Sequence, residues 1–394
     1  MFKKHVLFIM AGIIFPFMAL LAVNATVDPL QIYHPQYFAK ERFWNNQRYQ
    51  NAAKLKHFIH KADAVLIGNS IADCSSPRNI SKQMNWNQTL KLTVDGGQIS
   101  EQSFMLTEAL KHPNIKHVFW GLRTQIFNKE RADVWHRSQV IPFYLYDRSP
   151  FNDLPYLASL TTLKNSWATI TAPKQEKHGW KTTSLNWLNY WMTPSKGSRC
   201  ARFPFDKHSA KLRRLAQKSH TFLSTTTFPK GRKIRLRKLP SIEKHIVHTV
   251  ERHPDVDFTI FIAPESYLRL QSRGHAFPDY LRAQKTLVMA LKDLPNVHIY
   301  GFEDNSRLCG NLYNFCDQTH YHSGVNQWML DKIAQGKGQL TPGNIDRYLQ
   351  RVFANTIAYT PHWDASRVIP MLKKKERRAF YREVRKREAH APKS

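Results

Sequence analysis

Acidic side chains are scarce in this chain. Its 29 aspartates and glutamates face 59 lysines and arginines, so the formal net charge of the 394 residues is +30. That imbalance excludes an acidic, solvating chain and points to polyanionic partners. Cysteine is sparse too, with Cys74, Cys200, Cys309 and Cys316 the full set. No two form a C-x-x-C pair, and His320 and His322 have no matching cysteine cluster, so the sequence offers no metal site. No segment repeats. Hydrophobic residues at 42% and aromatics at 12% provide for a sizeable core, which excludes a disordered body.

Charge is missing altogether from Val6 to Val23, and the uncharged run continues through Asn24 and Ala25 to Thr26. This is close to the ~20 residues that span a bilayer as a helix. Pro16 is expected to kink it, which membrane helices tolerate. Lys3 and Lys4 mark residues 1–5 as cytoplasmic, residues 6–26 as a transmembrane anchor and everything after Asp28 as extracytoplasmic, here periplasmic. Cleavage as a signal peptide after Ala25 is the alternative, although the run exceeds the ~7–15 residues of a signal core. Both readings export the body and make the inner-membrane bilayer a partner of the uncleaved form.

Export permits disulfides. Cys309 and Cys316 flank a short loop containing Gly310 and are the expected bridge, which leaves Cys74 with Cys200 by elimination. Export also redirects the basic charge. One block runs from Lys230 to Lys238, with Arg232, Lys233, Arg235 and Arg237, and a second fills the tail from Lys373 to Lys393. An exported protein meets anionic lipid, acidic polysaccharide or glycolipid rather than nucleic acid, so an anionic envelope polymer or glycolipid is the expected partner.

The rest of the chain reads as α/β. A linker and a helix (Arg42 to His60) fill residues 27–60. Apolar runs at Ala62 to Ile67, Thr89 to Val94, His117 to Trp120, Val256 to Ile262 and Val297 to Phe302 read as buried parallel strands. Helical spacing runs from Glu101 to Leu110, Phe277 to Leu291 and Val325 to Ile333, which argues a parallel sheet with short connections. A mostly helical insertion interrupts it at about 135–254. The domain is expected to occupy 61–335, and a basic helical tail 336–394. In such a sheet, ligand sites lie beyond the carboxyl ends of the strands, which gathers Ser70, Gly96, Gly97, Arg123 and Ser266 on one rim.

Ile67-Gly68-Asn69-Ser70 after the first strand resembles the first block of the SGNH (GDSL-type) hydrolases, where a Gly-x-Ser turn presents the nucleophile. Asp317-Gln318-Thr319-His320 resembles their last block. The resemblance covers about 61–335 and implies a three-layer sandwich around a central parallel sheet. It also implies that Ser70 is the nucleophile, His320 the base and Asp317 the residue that orients it. A serine hydroxyl needs such a base to accept its proton, and the aspartate fixes the imidazole tautomer. His322 is a competing base two residues on, without the Asp-x-x-His spacing.

The resemblance further implies an oxyanion hole from the Ser70 amide and a second-block glycine, Gly97 or its neighbour Gly96. The third block departs from the pattern. Gly121-Leu122-Arg123-Thr124 stands where Gly-x-Asn is usual, with no asparagine before Asn128. Arg123 is therefore a candidate for a substrate carboxylate or phosphate, or for a structural ion pair. The anchored, long-insert architecture is similar to the envelope acyl-transfer branch, such as alginate O-acetyltransferases and the D-alanine transfer protein of teichoic acids. That similarity implies ester chemistry through an acyl-serine, no cofactor, and a membrane-bound O-acyltransferase as partner. The rival expectation is a catalytically silent member that binds anionic polymer or scaffolds an envelope complex.

Overall fold

The computed structural model describes residues 2–34, 47–73, 75–124, 141–147, 149–171, 238–317 and 319–361, with 214, 216–220, 225 and 236. The basic stretch 230–238, apart from Leu236 and Lys238, and the tail beyond 361 lie outside them. The chain divides into two compact units, residues 1–61 with 136–185 and residues 62–135 with 186–394.

The first unit begins with the helix Phe2–Val27, which carries Pro16 inside it. Its 24-residue stretch Lys4–Val27 is long and apolar enough to cross a membrane, and Phe8, Ile9, Ile13, Phe15 and Met18 are exposed. The carboxyl end of this helix is different, since Asn24 and Asp28 are fully buried. Asn24 Nδ2 donates to the carbonyls of Leu157 at 2.7 Å and Ser159 at 3.2 Å, and its Oδ1 accepts from Ser166 Oγ at 3.1 Å. Asp28 accepts from the Tyr156 hydroxyl at 2.8 Å and from the Tyr33 amide at 2.7 Å. Leu30, Ile32, Ala52, Ala53, Leu145 and Tyr156 form a small core beside these bonds. The segment expected as a polar linker is thus tied down at its start, because a buried carboxylate must find donors. The first part of the expected insertion, helical at Leu154–Leu157 and Leu160–Thr171, belongs to this unit rather than to a block running to 254.

The second unit is an α/β domain around a six-stranded sheet. Its strands are β1 (Ala64–Gly68), β2 (Thr89–Lys91), β3 (His117–Leu122), β4 (Asp257–Ile262), β5 (Val297–Tyr300) and β6 (Gln339–Leu340), in the order β2-β1-β3-β4-β5-β6. The first five are parallel and β6 is antiparallel to β5. β1 is buried along its whole length, as the unbroken run Ala64-Val65-Leu66-Ile67 requires of a strand covered on both faces. The order reverses between β1 and β3, and a crevice at such a reversal is where open α/β sheets bind ligands.

The domain does not stop at 335. β6 and the helix Ile345–Ile357 complete it, and that helix buries Ile345, Tyr348, Leu349, Val352 and Phe353 along one face. This spacing of i, i+3, i+4, i+7 and i+8 is that of a core-facing helix. Phe353 stacks on Phe277 with ring centroids 5.9 Å apart.

Candidate active site

β1 and β3 run in register to Gly68 opposite Gly121. A side chain at either glycine would collide at the same spot. A Cβ on Gly68 would lie 2.5 Å from Ala72 Cβ, and one on Gly121 would lie 2.8 Å from Ala72 Cβ and 2.7 Å from Phe261. Two glycines and an alanine therefore let the chain turn sharply against the next strand. The turn is closed by Asn69, whose side-chain oxygen accepts from the Ile71 amide at 3.2 Å and whose carbonyl accepts from Ala72 and Asp73. Ser70 sits at its head, half-buried.

Three residues on, Asp73 fixes the turn from below. It pairs with Lys91 of β2 at 2.6 Å, both side chains having no exposure, and accepts from Thr93 Oγ1 at 2.5 Å. Lys91 also donates to the Asp73 carbonyl. The pair was readable only as an oddity, a lysine inside Leu90-Lys91-Leu92. Removing one partner of such a pair strands a charge in the core.

The other half of the site is delivered by a tight loop. Phe315 and Tyr321 pair as an isolated antiparallel bridge, and Cys316 N donates to His320 O at 2.6 Å. Asp317 Oδ1 accepts from the amides of Thr319 at 2.7 Å and His320 at 2.8 Å, while Oδ2 meets His320 Nδ1 at 2.8 Å. His320 Nε2 lies 2.9 Å from Ser70 Oγ. A carboxylate only accepts, so Nδ1 carries the proton and the Nε2 lone pair faces the serine hydroxyl. Burial alone would push the Asp317 carboxyl up, but the His320 hydrogen bond and charge and the two amides hold it well below the usual range.

His322 has a different task. It is fully buried, and its Nδ1 accepts from the Gly324 amide at 3.1 Å as the N-cap of the helix Ser323–Ile333. Burial lowers its pKa to about 3. It holds the helix and leaves the serine to His320.

The expected Cys309–Cys316 bridge is not formed. Cys309 is a buried free thiol whose Sγ faces the Phe302 carbonyl at 3.9 Å, and burial pushes that thiol up. Cys316 is disulfide-bonded. The expected Cys74–Cys200 pairing falls on residues outside the described ones. The helix Ser306–Cys309 ends by turning its cysteine into the core, away from the loop that Cys316 opens.

Among the described residues the Ser70 amide has no hydrogen-bond partner. The Gly97 amide donates to the Val94 carbonyl at 2.8 Å, closing a turn in which Gly96 takes φ +67° and stands exposed. The unengaged amide of this turn is therefore that of Gly96 rather than Gly97. Val94 N donates to Gly68 O at 3.0 Å, which ties this turn to the end of β1, two residues before Ser70.

Arg123 points to Glu265. Its Nε and one terminal nitrogen lie 3.4 Å from Glu265 Oε1, and its side chain is 20% exposed. Ser266 caps the helix Tyr267–Gln271 through the Arg269 amide at 3.2 Å and is buried. Composition and spacing drew attention to neither Glu265 nor Arg269 and Arg273, although their i, i+4, i+8 placement was there to be read. No family model matches the chain, and no curated protein matches it either.

Proposed function

We propose that this is a membrane-anchored envelope esterase or O-acyltransferase of SGNH type, working through an acyl-serine at Ser70. The observation that carries this reading is the unbroken relay Ser70–His320–Asp317, with links of 2.9 and 2.8 Å, at the carboxyl edge where the strand order reverses. His320 Nε2 takes the proton from Ser70 Oγ as the oxygen attacks an acyl carbonyl. Asp317 stabilises the imidazolium. The oxyanion faces the amides of Ser70 and Gly96, and its collapse expels the first alcohol, which takes the proton from His320. A second hydroxyl, of a sugar or of water, then gives its proton to His320 and attacks the acyl-serine, releasing the ester or the acid and restoring Ser70.

The apolar helix Phe2–Val27 supports anchoring to the cell membrane, with the catalytic domain in the periplasm and the acyl group supplied by a membrane-bound O-acyltransferase. Asn24, fully buried and bonded to Leu157, Ser159 and Ser166, favours a retained anchor, since a cut after Ala25 would remove it and leave Ser166 and these carbonyls without that partner. The substrate is an envelope polysaccharide or glycolipid. A second reading, a silent scaffold that binds anionic polymer, draws on the missing third-block asparagine, since one oxyanion donor contributes ~10²–10³ in rate. Turnover of 4-nitrophenyl acetate by the full chain in detergent separates the two. Turnover that disappears in Ser70→Ala supports the enzyme. Equal rates in both proteins, or none in either, support the scaffold.

A further inference from the structure

Three arginines converge on one buried carboxylate at the rim that carries Ser70. Glu265 follows β4, has 1% exposure, and is met by Arg123 at 3.4 Å, by Arg269 at 4.0 Å and by a hydrogen bond from Arg273. Their placement follows from register. Gly68 pairs with Gly121 and Leu122 with Ile262, so Ser70, Arg123 and Glu265 leave the same edge of three neighbouring strands, each ~4.8 Å from the next.

One carboxylate does not balance three guanidinium groups, and among the described residues two positive charges remain. Glu303, an acid in contact with Glu265, is fully buried and accepts from the Tyr280 hydroxyl, from Gln284 Nε2 at 2.5 Å and from the Glu265 amide at 3.0 Å. Burial raises its pKa to about 7, so it is ionised only in part at neutral pH. Arg273 also lies over the Tyr280 ring, 4.3 Å from its centroid. The hydrogen bonds are incomplete as well. The Nε atoms of Arg269 and Arg273 are buried and have no hydrogen-bond acceptor among the described residues. Arg269 and Arg123 keep 19% and 20% of their side chains exposed, so the cluster is open to solvent on one side. Burial lowers the pKa of Arg269 and the two neighbouring arginines add to this against the pull of Glu265, whereas at Arg273 burial is outweighed by Glu265 and Tyr280, which raise it. A purely structural ion pair needs one arginine, and it does not leave buried donors unsatisfied.

We infer that Arg123, Arg269 and Arg273, held together by Glu265, form an anion-binding subsite beside Ser70 that takes a carboxylate or phosphate on the substrate. This deepens the proposed function by assigning an acidic polymer or glycolipid as substrate, and its place beside the nucleophile rests on that reading. Planar guanidinium groups suit both oxyanions, so a uronic acid and a phosphorylated sugar share the required chemistry.

The test is binding, read on the full chain carrying Ser70→Ala so that it does not depend on catalysis. Glucuronate and inorganic phosphate are titrated calorimetrically at constant ionic strength, with chloride as control. Saturable binding of at least one of them is expected. It should weaken at least about tenfold in Arg269→Gln and in Arg123→Gln, the effect of losing a charge-assisted hydrogen bond. Tighter glucuronate assigns a uronic acid, and tighter phosphate a phosphorylated acceptor. Arg123→Gln leaves two arginines on Glu265 and serves where Arg269→Gln does not fold. No saturable binding of either anion, or unchanged affinity in the folded variants, overturns the subsite. Loss of ester turnover in Ser70→Ala is a separate result, so either proposal can fail alone.

Discussion

The two clusters on this rim are built in opposite ways. Ser70, His320 and Asp317 form a short relay, partly open to solvent, in which every polar atom described has a defined partner or faces the reacting position. Glu265 and its three arginines form a crowded cluster with excess charge and unsatisfied donors. The first arrangement is set to move one proton along a line. The second is set to attract a charge from outside. A site that satisfies its own groups does chemistry within itself, whereas one that leaves donors buried and unpaired is completed by a ligand.

The comparison breaks most readily at His320. His320→Ala removes the base that meets Ser70 among the described residues, and ester turnover is expected to fall by ~10⁴-fold or more, with a melting temperature close to wild type. Turnover within tenfold of wild type would mean that the relay is not the reacting unit. The next largest effect falls beneath the turn. Lys91→Met strands the Asp73 charge and is expected to destabilise the domain by about 3–5 kcal/mol in denaturant unfolding, with most of that recovered in Asp73→Leu/Lys91→Met. Additive losses in the double variant would contradict a paired role. Gly68→Ala forces a Cβ against Ala72, and a loss of about 1–3 kcal/mol is expected, accompanied by slower turnover because Ser70 shifts.

The smallest effect is in the pH dependence. Glu303 has a folded pKa of about 7, raised by burial above its ordinary 4.5. The native state therefore binds its proton more tightly, so its contribution is full below about 4.5 and is lost as pH rises through about 7. His322 works the other way. Its folded pKa of about 3 lies below the ordinary 6.5, so its contribution is full above 6.5 and is lost as pH falls toward 3. Between 4.5 and 6.5 the two slopes oppose one another. Glu303→Gln should uncover a stability that rises with pH across that window, measured by urea unfolding at successive pH values. An unchanged profile would remove Glu303 from the network that holds Glu265.

Much of the relay was legible in the sequence because its parts are local. A Gly-x-Ser turn after an apolar run and an Asp-x-x-His loop each lie within a few residues, and strand order alone brings them together. The parallel strands were equally plain, since buried β1, β3 and β4 contain few polar residues. What escaped was long-range or compositional. Asp73 and Lys91 meet across two strands, and Arg123 and Glu265 are separated by 142 residues, distances that no spacing rule spans. The helix Ile345–Ile357 looked like the start of a basic tail because its outer face is charged, although its apolar positions repeat with helical period. The cysteines misled for a related reason, since proximity in sequence suggested a bridge while the short helix ending at Cys309 turns that thiol inward.

The claim on which the rest depends is that Ser70 becomes acylated. Brief treatment of the full chain with a fluorophosphonate, followed by peptide mass spectrometry, reads this directly. One adduct is expected, on Ser70, absent in Ser70→Ala and strongly slowed in His320→Ala. An adduct on another residue, or no adduct on Ser70 in the folded protein, would contradict it.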